Sequence, residues 1–152
     1  MTEEETVLAA SAHTVYPGVQ LTRTLRLRGA HLQDRFECVS EREHVYDWAF
    51  HAEGRLTTSL PLEPRDGPLG ADNGYQHIQN VAAAVTDEAW WARWDAGEAT
   101  LILHFAAEPG TQVFTGLAPG RNPAQKVPVL VVRRRARSTT FEVTHEVSVR
   151  ER

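Results

Sequence analysis

Apolar and polar residues alternate with a period of two along most of this chain, a pattern that predicts β-strands rather than helices. Residues 20–28 set leucines and one arginine on one face, against threonines and two arginines on the other. Residues 141–149 alternate strictly from Phe141 to Val149. Residues 127–132 are apolar on both faces, which is typical of a central strand that is covered on both sides. These runs predict a sheet protein.

Residues 44–51 (HVYDWAFH) form the most distinctive of these runs. Alternate residues of a strand share a face, so the run is predicted to have an aromatic face and a more polar face. The first face carries His44, Tyr46, Trp48 and Phe50, and the second carries Val45, Asp47, Ala49 and His51. An acid and a histidine opposite an aromatic face indicate a sheet that is packed on both sides, or a polar site on the second face.

Turn residues separate the predicted strands. A turn at 29–30 is predicted to join the strands 20–28 and 31–40, and a polar turn at 40–43 is predicted to lead into 44–51. These three segments then form a meander of antiparallel strands. A second hairpin is predicted to join 88–94 and 100–105 across residues 95–98, and a strand is predicted at 75–84.

The fold class that follows is all-β, with roughly nine or ten antiparallel strands in a β-sandwich of the jelly-roll or super-sandwich kind. The chain has 152 residues, of which 41% are hydrophobic, so a single domain over 1–152 with one core is expected. Residues 1–12 are predicted to be poorly ordered or to add an edge strand. Residues 62–74 hold two prolines and three glycines and form a long loop, while real helix propensity is confined to the short run 82–84.

Charge and composition narrow the possible partners. The net charge of −4 disfavours a general nucleic-acid surface. No apolar run approaches the roughly 20 residues that cross a bilayer, so no membrane partner is expected. The acidic start of the chain lacks the apolar segment of a signal peptide, and the compartment stays open. Cys38 is the single cysteine, so an intramolecular disulfide is impossible and a small core residue is expected.

Five segments of the chain follow one another in the same order as segments of a known protein family. They are YPGVQLTRT at 16–24, DRF at 34–36, HVYDWAFHAEG at 44–54, NGYQHI at 73–78 and the closing segment 133–141. The series resembles the C-terminal β-sandwich region of heparinase II/III-like polysaccharide lyases, including alginate and oligoalginate lyases. The resemblance rests on order and spacing over about residues 16–145.

The resemblance implies an antiparallel β-sandwich that follows an α/α-toroid, with a substrate cleft between them. Members of the family cleave uronic-acid-containing polysaccharides by β-elimination, with tyrosine, histidine and a neutralising asparagine or glutamine that come mostly from the toroid. The toroid and the His-x-His-x-Asp-type stretch of the early sandwich do not occur in this sequence. The expectation is therefore a carbohydrate-facing or structural domain that is not catalytic as this isolated chain, with an acidic polysaccharide or oligosaccharide as its partner.

Aromatic residues are the first candidates for carbohydrate binding, because flat rings stack on the apolar faces of sugars. Trp90, Trp91 and Trp94 cluster within five positions, with Trp90 and Trp94 on one predicted strand face and Trp91 on the other. Tyr46 and Trp48 are further candidates. Core packing is the alternative interpretation of the same residues.

Arginines are the second group of candidates. Arg133, Arg134, Arg135 and Arg137 form a basic run, and Arg133 and Arg135 are candidates to bind uronate carboxylates with their forked guanidinium groups. The alternative is a solvated edge in a hairpin turn, which also deters aggregation. Elsewhere, Asp34 lies on an apolar strand face and is expected to be buried with a partner, with Arg23 of the neighbouring strand as the candidate.

The alternative function is a small cupin-like metal-binding protein with histidine ligands on strands. A divalent metal such as zinc is the cofactor that this alternative requires, whereas the leading hypothesis requires none. The candidate ligands are His44, His51, His77 and His104, with Asp34 or Asp47 as an oxygen ligand. No two histidines lie at the i, i+2 spacing with which one strand chelates a metal. A homodimer through sheet edges or an exposed apolar face is a further possibility.

Overall fold

The computed structural model describes residues 4–150, which form ten β-strands and one short 3₁₀ turn at Tyr75–His77. All strand pairs are antiparallel. The described residues contain no α-helix, so the all-β prediction is confirmed. The strands are β1 (Glu5–Ala12), β2 (Val19–Arg28), β3 (His31–His51), β4 (Arg55–Thr58), β5 (Glu63–Pro64), β6 (Gln79–Thr86), β7 (Trp90–Asp95), β8 (Ala99–Phe105), β9 (Thr111–Pro119) and β10 (Lys126–Val149).

Two unusually long strands, β3 and β10, run side by side through the whole molecule. The first half of β10 pairs with β9 on its other edge, and the second half pairs with β8. The strands on either side of this central ladder form two layers. The first half of β3 and the second half of β10 form the first layer, with β1 and β2 on one side and β8, β7 and β4 on the other. The second half of β3 and the first half of β10 form the second layer, together with β9, β6 and β5.

The two layers pack on each other through aromatic side chains. The Trp48 ring meets the Phe105 ring edge-on, with centroids 5.4 Å apart, and the Phe50 ring meets the Trp94 ring at 5.2 Å. Trp90 stacks on Phe105 with centroids 4.0 Å apart. Burying large apolar side chains of this kind supplies most of the stability of a sandwich, roughly 1.5–3 kcal/mol for a phenylalanine. This cluster is the main core.

The outer face of the second layer is covered as well. Leu69 and Ile78, from the long segment between β4 and β6, pack on Phe114 of β9 and on Val129 and Val131 of β10. The first half of β10 therefore has buried side chains on both faces, as its apolar sequence predicts. A sheet packed on both sides is one of the two interpretations that the 44–51 run indicated.

The hairpin between β2 and β3 is confirmed, with a two-residue turn whose Gly29 has a φ of 54°. The hairpin between β7 and β8 is confirmed as well. The predicted turn at 40–43 is wrong, because β3 continues through these residues, which bulge opposite Arg137. A strand that bends at a bulge keeps its ladder on both sides of the bend, whereas a turn would have broken the pairing with β10.

Two further segments differ from the sequence prediction. Residues 127–132 and 141–149 belong to one strand, β10, and not to two. The predicted strand at 75–84 begins later, at Gln79, and includes the alanines 82–84. Asn80 has a φ of 51° and lies at a shift in the β6–β9 register. The extended partner β9 overrides the helix propensity of the three alanines.

The N-terminal residues form an edge strand, one of the two predicted alternatives. β1 pairs with β2 from Glu5 to Ala12, and residues 1–3 lie outside the described residues. Cys38 is fully buried in the main core, as expected. Within residues 4–150, no helix is long and apolar enough to span a membrane.

Candidate functional site

A polar cluster joins the two long strands on the outer face of the second layer. Arg133 of β10 lies directly opposite Asp47 of β3 in the ladder, and its Nε and Nη2 donate to the two carboxylate oxygens at 2.8 Å each. The Tyr75 hydroxyl donates to Oδ2 of Asp47 at 2.5 Å. Burial, reinforced by the Asp47 carboxylate, raises the pKa of Tyr75 to about 12. Tyr75 is thus a neutral hydrogen-bond donor, and Asp47 is a fully paired carboxylate.

The next residue, Arg134, points to the opposite side and is buried, with 5% of its surface exposed. Its Nε donates to Oγ1 of Thr111 at 3.0 Å, and its Nη1 donates to the carbonyl oxygen of Thr140 at 2.7 Å and to Oγ1 of Thr139 at 3.3 Å. Its guanidinium carbon lies 4.5 Å from the centroid of the Phe141 ring. Within residues 4–150, no carboxylate forms an ion pair with it.

Burial lowers the pKa of Arg134, and the nearby charge of Glu108 partly offsets this effect. An arginine nevertheless stays protonated at neutral pH, because its intrinsic pKa is above 12. The structure therefore holds a buried cation whose hydrogen-bond acceptors are neutral. Its charge is compensated only in part, by the nearby Glu108 and without a direct ion pair, whereas buried ions are usually paired.

A pocket of about 310 Å³ opens beside Arg134. It lies at the start of β9. Along this edge of β10, the pairing with β9 ends at Arg133 and the pairing with β8 begins only at Val143. The segment between β8 and β9 borders this gap, and Glu108 lines the pocket. The residues that supply polar groups to the lining are Gln112, Arg133, Arg134, Arg135, Thr139 and Glu108. We refer to this cavity as the arginine pocket.

The basic run is therefore not the solvated edge of a hairpin turn, and that alternative is wrong. It lies on β10, the most central strand, with β3 on one side along its length. Arg135 and Arg137 are its exposed members, and Arg135, with 69% of its side chain accessible, forms a loose ion pair of 3.5 Å to Glu43. The carbonyl of Arg137 accepts a hydrogen bond from the Tyr46 hydroxyl at 3.0 Å.

The predicted aromatic candidates do not share one surface. Trp90, Trp94 and Trp48 are at most 4% exposed and belong to the main core, as does Tyr46. Core packing, the alternative interpretation, therefore describes these four residues. Trp91 is 39% exposed on the opposite face of β7, and it keeps an accessible indole surface.

A second buried polar cluster surrounds Asp34, as expected. Arg23 donates from Nε to Oδ1 at 2.9 Å and from Nη2 to Oδ2 at 2.5 Å, which confirms the predicted pair. Trp48 Nε1 donates to Oδ2 at 3.0 Å, and His145 Nε2 lies 3.8 Å from the same oxygen. Burial opposes the charge of Asp34, but the contacts with His145, Arg23 and Trp48 outweigh it and lower its pKa to about 2. The cluster ties three strands together.

The histidines proposed as metal ligands lie on separate elements. His51 ends β3, His77 lies in the 3₁₀ turn and His104 lies on β8, and all three are exposed. His104 pairs with Glu146 at 3.4 Å. His44 is bonded to the Ser40 hydroxyl at 3.1 Å. Across residues 4–150, no three histidine, cysteine or acidic side chains are placed to hold a metal ion together.

Sequence reasoning missed three residues of the site. The sequence predicts Tyr75 in a strand, and it gives no signal for Thr111 and Thr139, which accept hydrogen bonds from the Arg134 guanidinium. Threonines occur at many strand positions in this chain, so their type does not distinguish them. Tyr75 follows a Gly-rich loop, which is the one local hint that it belongs to a covering segment.

No protein-family model matches this chain. No curated protein matches it either. Among solved structures it is similar to the Slr1438 protein from Synechocystis sp. PCC 6803, with 11% sequence identity and a TM-score of 0.49. The match covers 97% of this chain and 63% of the Slr1438 chain, so the chain spans less than two thirds of that protein.

Proposed function

We propose that this β-sandwich binds acidic glycans and that the arginine pocket receives a uronate carboxylate. In this proposal the chain is the carbohydrate-facing sandwich of a heparinase II/III-like polysaccharide lyase, and the β-elimination chemistry belongs to other parts of such an enzyme. The proposal joins the resemblance of the sequence to the chemistry of the pocket. No residue of this chain is given a catalytic role.

The observation that carries the proposal is the charge state of Arg134. A buried guanidinium with neutral partners gains from an anion that enters the pocket beside it, because charge-assisted hydrogen bonds are about twice as strong as neutral ones. Arg135 adds a second cation with only a loose partner. Arg133 is already paired with Asp47, and its role is to hold the wall of the pocket.

The pocket has the size of a small-ligand site. Its volume of about 310 Å³ lies at the lower end of the range for ligand cavities, roughly 300–1,000 Å³. One sugar unit with its carboxylate fits such a space better than a long oligosaccharide. Gln112 and Thr139 offer hydrogen-bonding groups for sugar hydroxyls. Glu108 also lines the pocket, and its negative charge opposes an anionic ligand close to it, so the carboxylate is expected to bind nearer to Arg134 and Arg135.

Isothermal titration calorimetry tests the proposal. The ligands are uronic-acid oligosaccharides from alginate, heparin and chondroitin, with a neutral cello-oligosaccharide as the control. We expect saturable binding of at least one acidic ligand, weakening as salt is raised, and no binding of the neutral one. No binding of any acidic ligand would overturn the proposal.

Two variants locate the site. Gln112→Glu adds a negative charge to the pocket and should weaken binding at least about tenfold. This corresponds to a loss of about 1.4 kcal/mol in binding free energy. Gln33→Glu is the matched control, since it adds the same charge at an exposed position of β3. Arg135→Gln should also weaken binding, while Arg121→Gln, an exposed arginine outside the pocket, should not. Equal effects of the pocket and control variants would place the binding elsewhere.

A further inference from the structure

The edge strand β1 has an open side. β2 pairs with it along Glu5–Ala12, and within residues 4–150 no strand pairs with its other edge. About half of the backbone N–H and C=O groups of an edge strand point outward, where they can pair with another strand. The open edge of β1 is eight residues long, which is enough for a regular ladder.

This edge lacks the features that protect most edge strands from association. Residues 6–12 (TVLAASA) contain no charge and no proline. The short strands at the other ends of the sheet differ, since β5 consists of Glu63 and Pro64, and the four-residue β4 begins with an arginine. The one carboxylate of β1, Glu5, is paired with Arg28 at 3.2 Å.

Apolar side chains lie beside this edge on the same face. Leu8 is 65% exposed and lies opposite Leu25 of β2, on the face that continues the inner face of the first layer. On that face Leu27 of the neighbouring strand β2 is 45% exposed, and Val147 of β10, three strands from β1, is 47% exposed. The second layer does not reach this end, so these side chains are left open to solvent.

We propose that β1 pairs antiparallel with β1 of a second copy of this chain, so that the sheet continues across a twofold axis. Antiparallel pairing keeps both inner faces on the same side, which brings the two exposed Leu8 side chains close together. The occupant of the open edge is thus a second copy. The interface is isologous, as expected for a symmetric dimer.

A second copy of this chain fits the edge without placing like charges opposite each other, and this condition sets the register. When the pairing is centred on Ala9, the uncharged residues 6–12 of one copy lie opposite the same residues of the other, with Leu8 opposite Ala10. The next position outward sets Glu5 opposite His13 of the partner subunit, so no two like charges face each other across the ladder. Like charges directly opposite would destabilise a cross-strand pair.

Sedimentation equilibrium of the full chain tests this inference over a roughly hundredfold range of concentration. We expect the average mass to rise from 17.0 kDa toward twice that value. Leu8→Lys should return the chain to a monomer over the same range, because two lysines would then lie close to each other on the edge. Val85→Lys is the matched control, since Val85 is 70% exposed on β6, and it should leave the dimer intact.

Three outcomes overturn the inference. They are a monomer at every concentration, a dimer that Leu8→Lys does not weaken, and a dimer that both variants weaken equally. Circular dichroism checks that each variant keeps the sheet. We expect both variants to keep it, because both substituted positions are exposed. The result is independent of glycan binding, since the arginine pocket contains no residue of β1.

Discussion

The hydroxyl of Tyr75 donates a hydrogen bond of 2.5 Å to the Asp47 carboxylate, 28 positions away in the sequence. This contact attaches the long segment between β4 and β6 to the central ladder. Nε and Nη2 of Arg133 also donate to Asp47, so the same carboxylate fixes both the loop and Arg133, which lines the arginine pocket. The Asp47 carboxylate therefore links the loop that covers the outer face to the lining of the arginine pocket.

Tyr75→Phe should loosen the covering segment. The variant removes a hydrogen bond to a charged acceptor, and we expect a loss of about 1.5–3 kcal/mol in the free energy of unfolding. Hydrogen exchange of residues 62–78 should become faster, while exchange of β8 stays unchanged. Tyr16→Phe is the matched control, because Tyr16 is 58% exposed, and it should change neither quantity. An unchanged exchange rate in Tyr75→Phe would show that apolar contacts hold the segment without this bond.

Asp34 should make the stability of the fold sensitive to acid. Its pKa falls from 3.8 to about 2 on folding, so its carboxylate stabilises the folded state above about pH 4 and loses this effect as the pH falls toward 2. The shift corresponds to about 2 kcal/mol.

Urea unfolding between pH 2 and pH 7 measures this contribution. Asp34→Asn should lower the free energy of unfolding at pH 7. It should also flatten the acid limb, which is the fall of this free energy as the pH decreases toward 2. Asp66→Asn, at an exposed position, should leave the limb as steep as in the parent chain. An acid limb of the same slope in both variants would contradict the assignment.

Gly116 should tolerate no side chain. A Cβ at this position would lie 2.5 Å from Cγ2 of Ile78 and 3.0 Å from the carbonyl oxygen of Gln79. Gly116→Ala should therefore destabilise the fold by about 1–3 kcal/mol through overpacking. Ile78→Leu removes the clashing branch, so the double variant should lose less than the sum of the two single variants. Strict additivity of the thermal unfolding data would argue against a direct contact.

Truncation of the neighbouring Trp90 and Trp91 should destabilise the fold to very different extents. Trp90 is buried against Phe105, and Trp90→Ala should cost about 3–5 kcal/mol. Trp91 is 39% exposed, and Trp91→Ala should cost well under half of that. Chemical denaturation measures both values. Similar losses in the two variants would mean that the face assignment of β7 is wrong.

Local pattern was sufficient for several elements. The leucine alternation of residues 20–28 and the two-residue turn after them predicted the β2–β3 hairpin, and the opposite faces of Trp90 and Trp91 followed from the period of a strand. The Asp34–Arg23 pair followed from neighbouring strands and from the high cost of burying an unpaired carboxylate. Each of these inferences depends on residues that are close in sequence or in adjacent strands.

The sequence by itself determined that the fold is all-β, because the spacing of apolar residues reflects which face of a strand is buried. The short turns between the predicted strands indicated that neighbouring strands are antiparallel. Only the tertiary structure decided that β3 and β10 each run through both layers, since a polar stretch at 40–43 has the same composition in a turn and in a bulge. It also decided that Arg133 meets Asp47, 86 positions away, and that Arg134 is buried with neutral hydrogen-bond acceptors. These contacts depend on the register of distant strands, which packing of the whole core selects and no local pattern records.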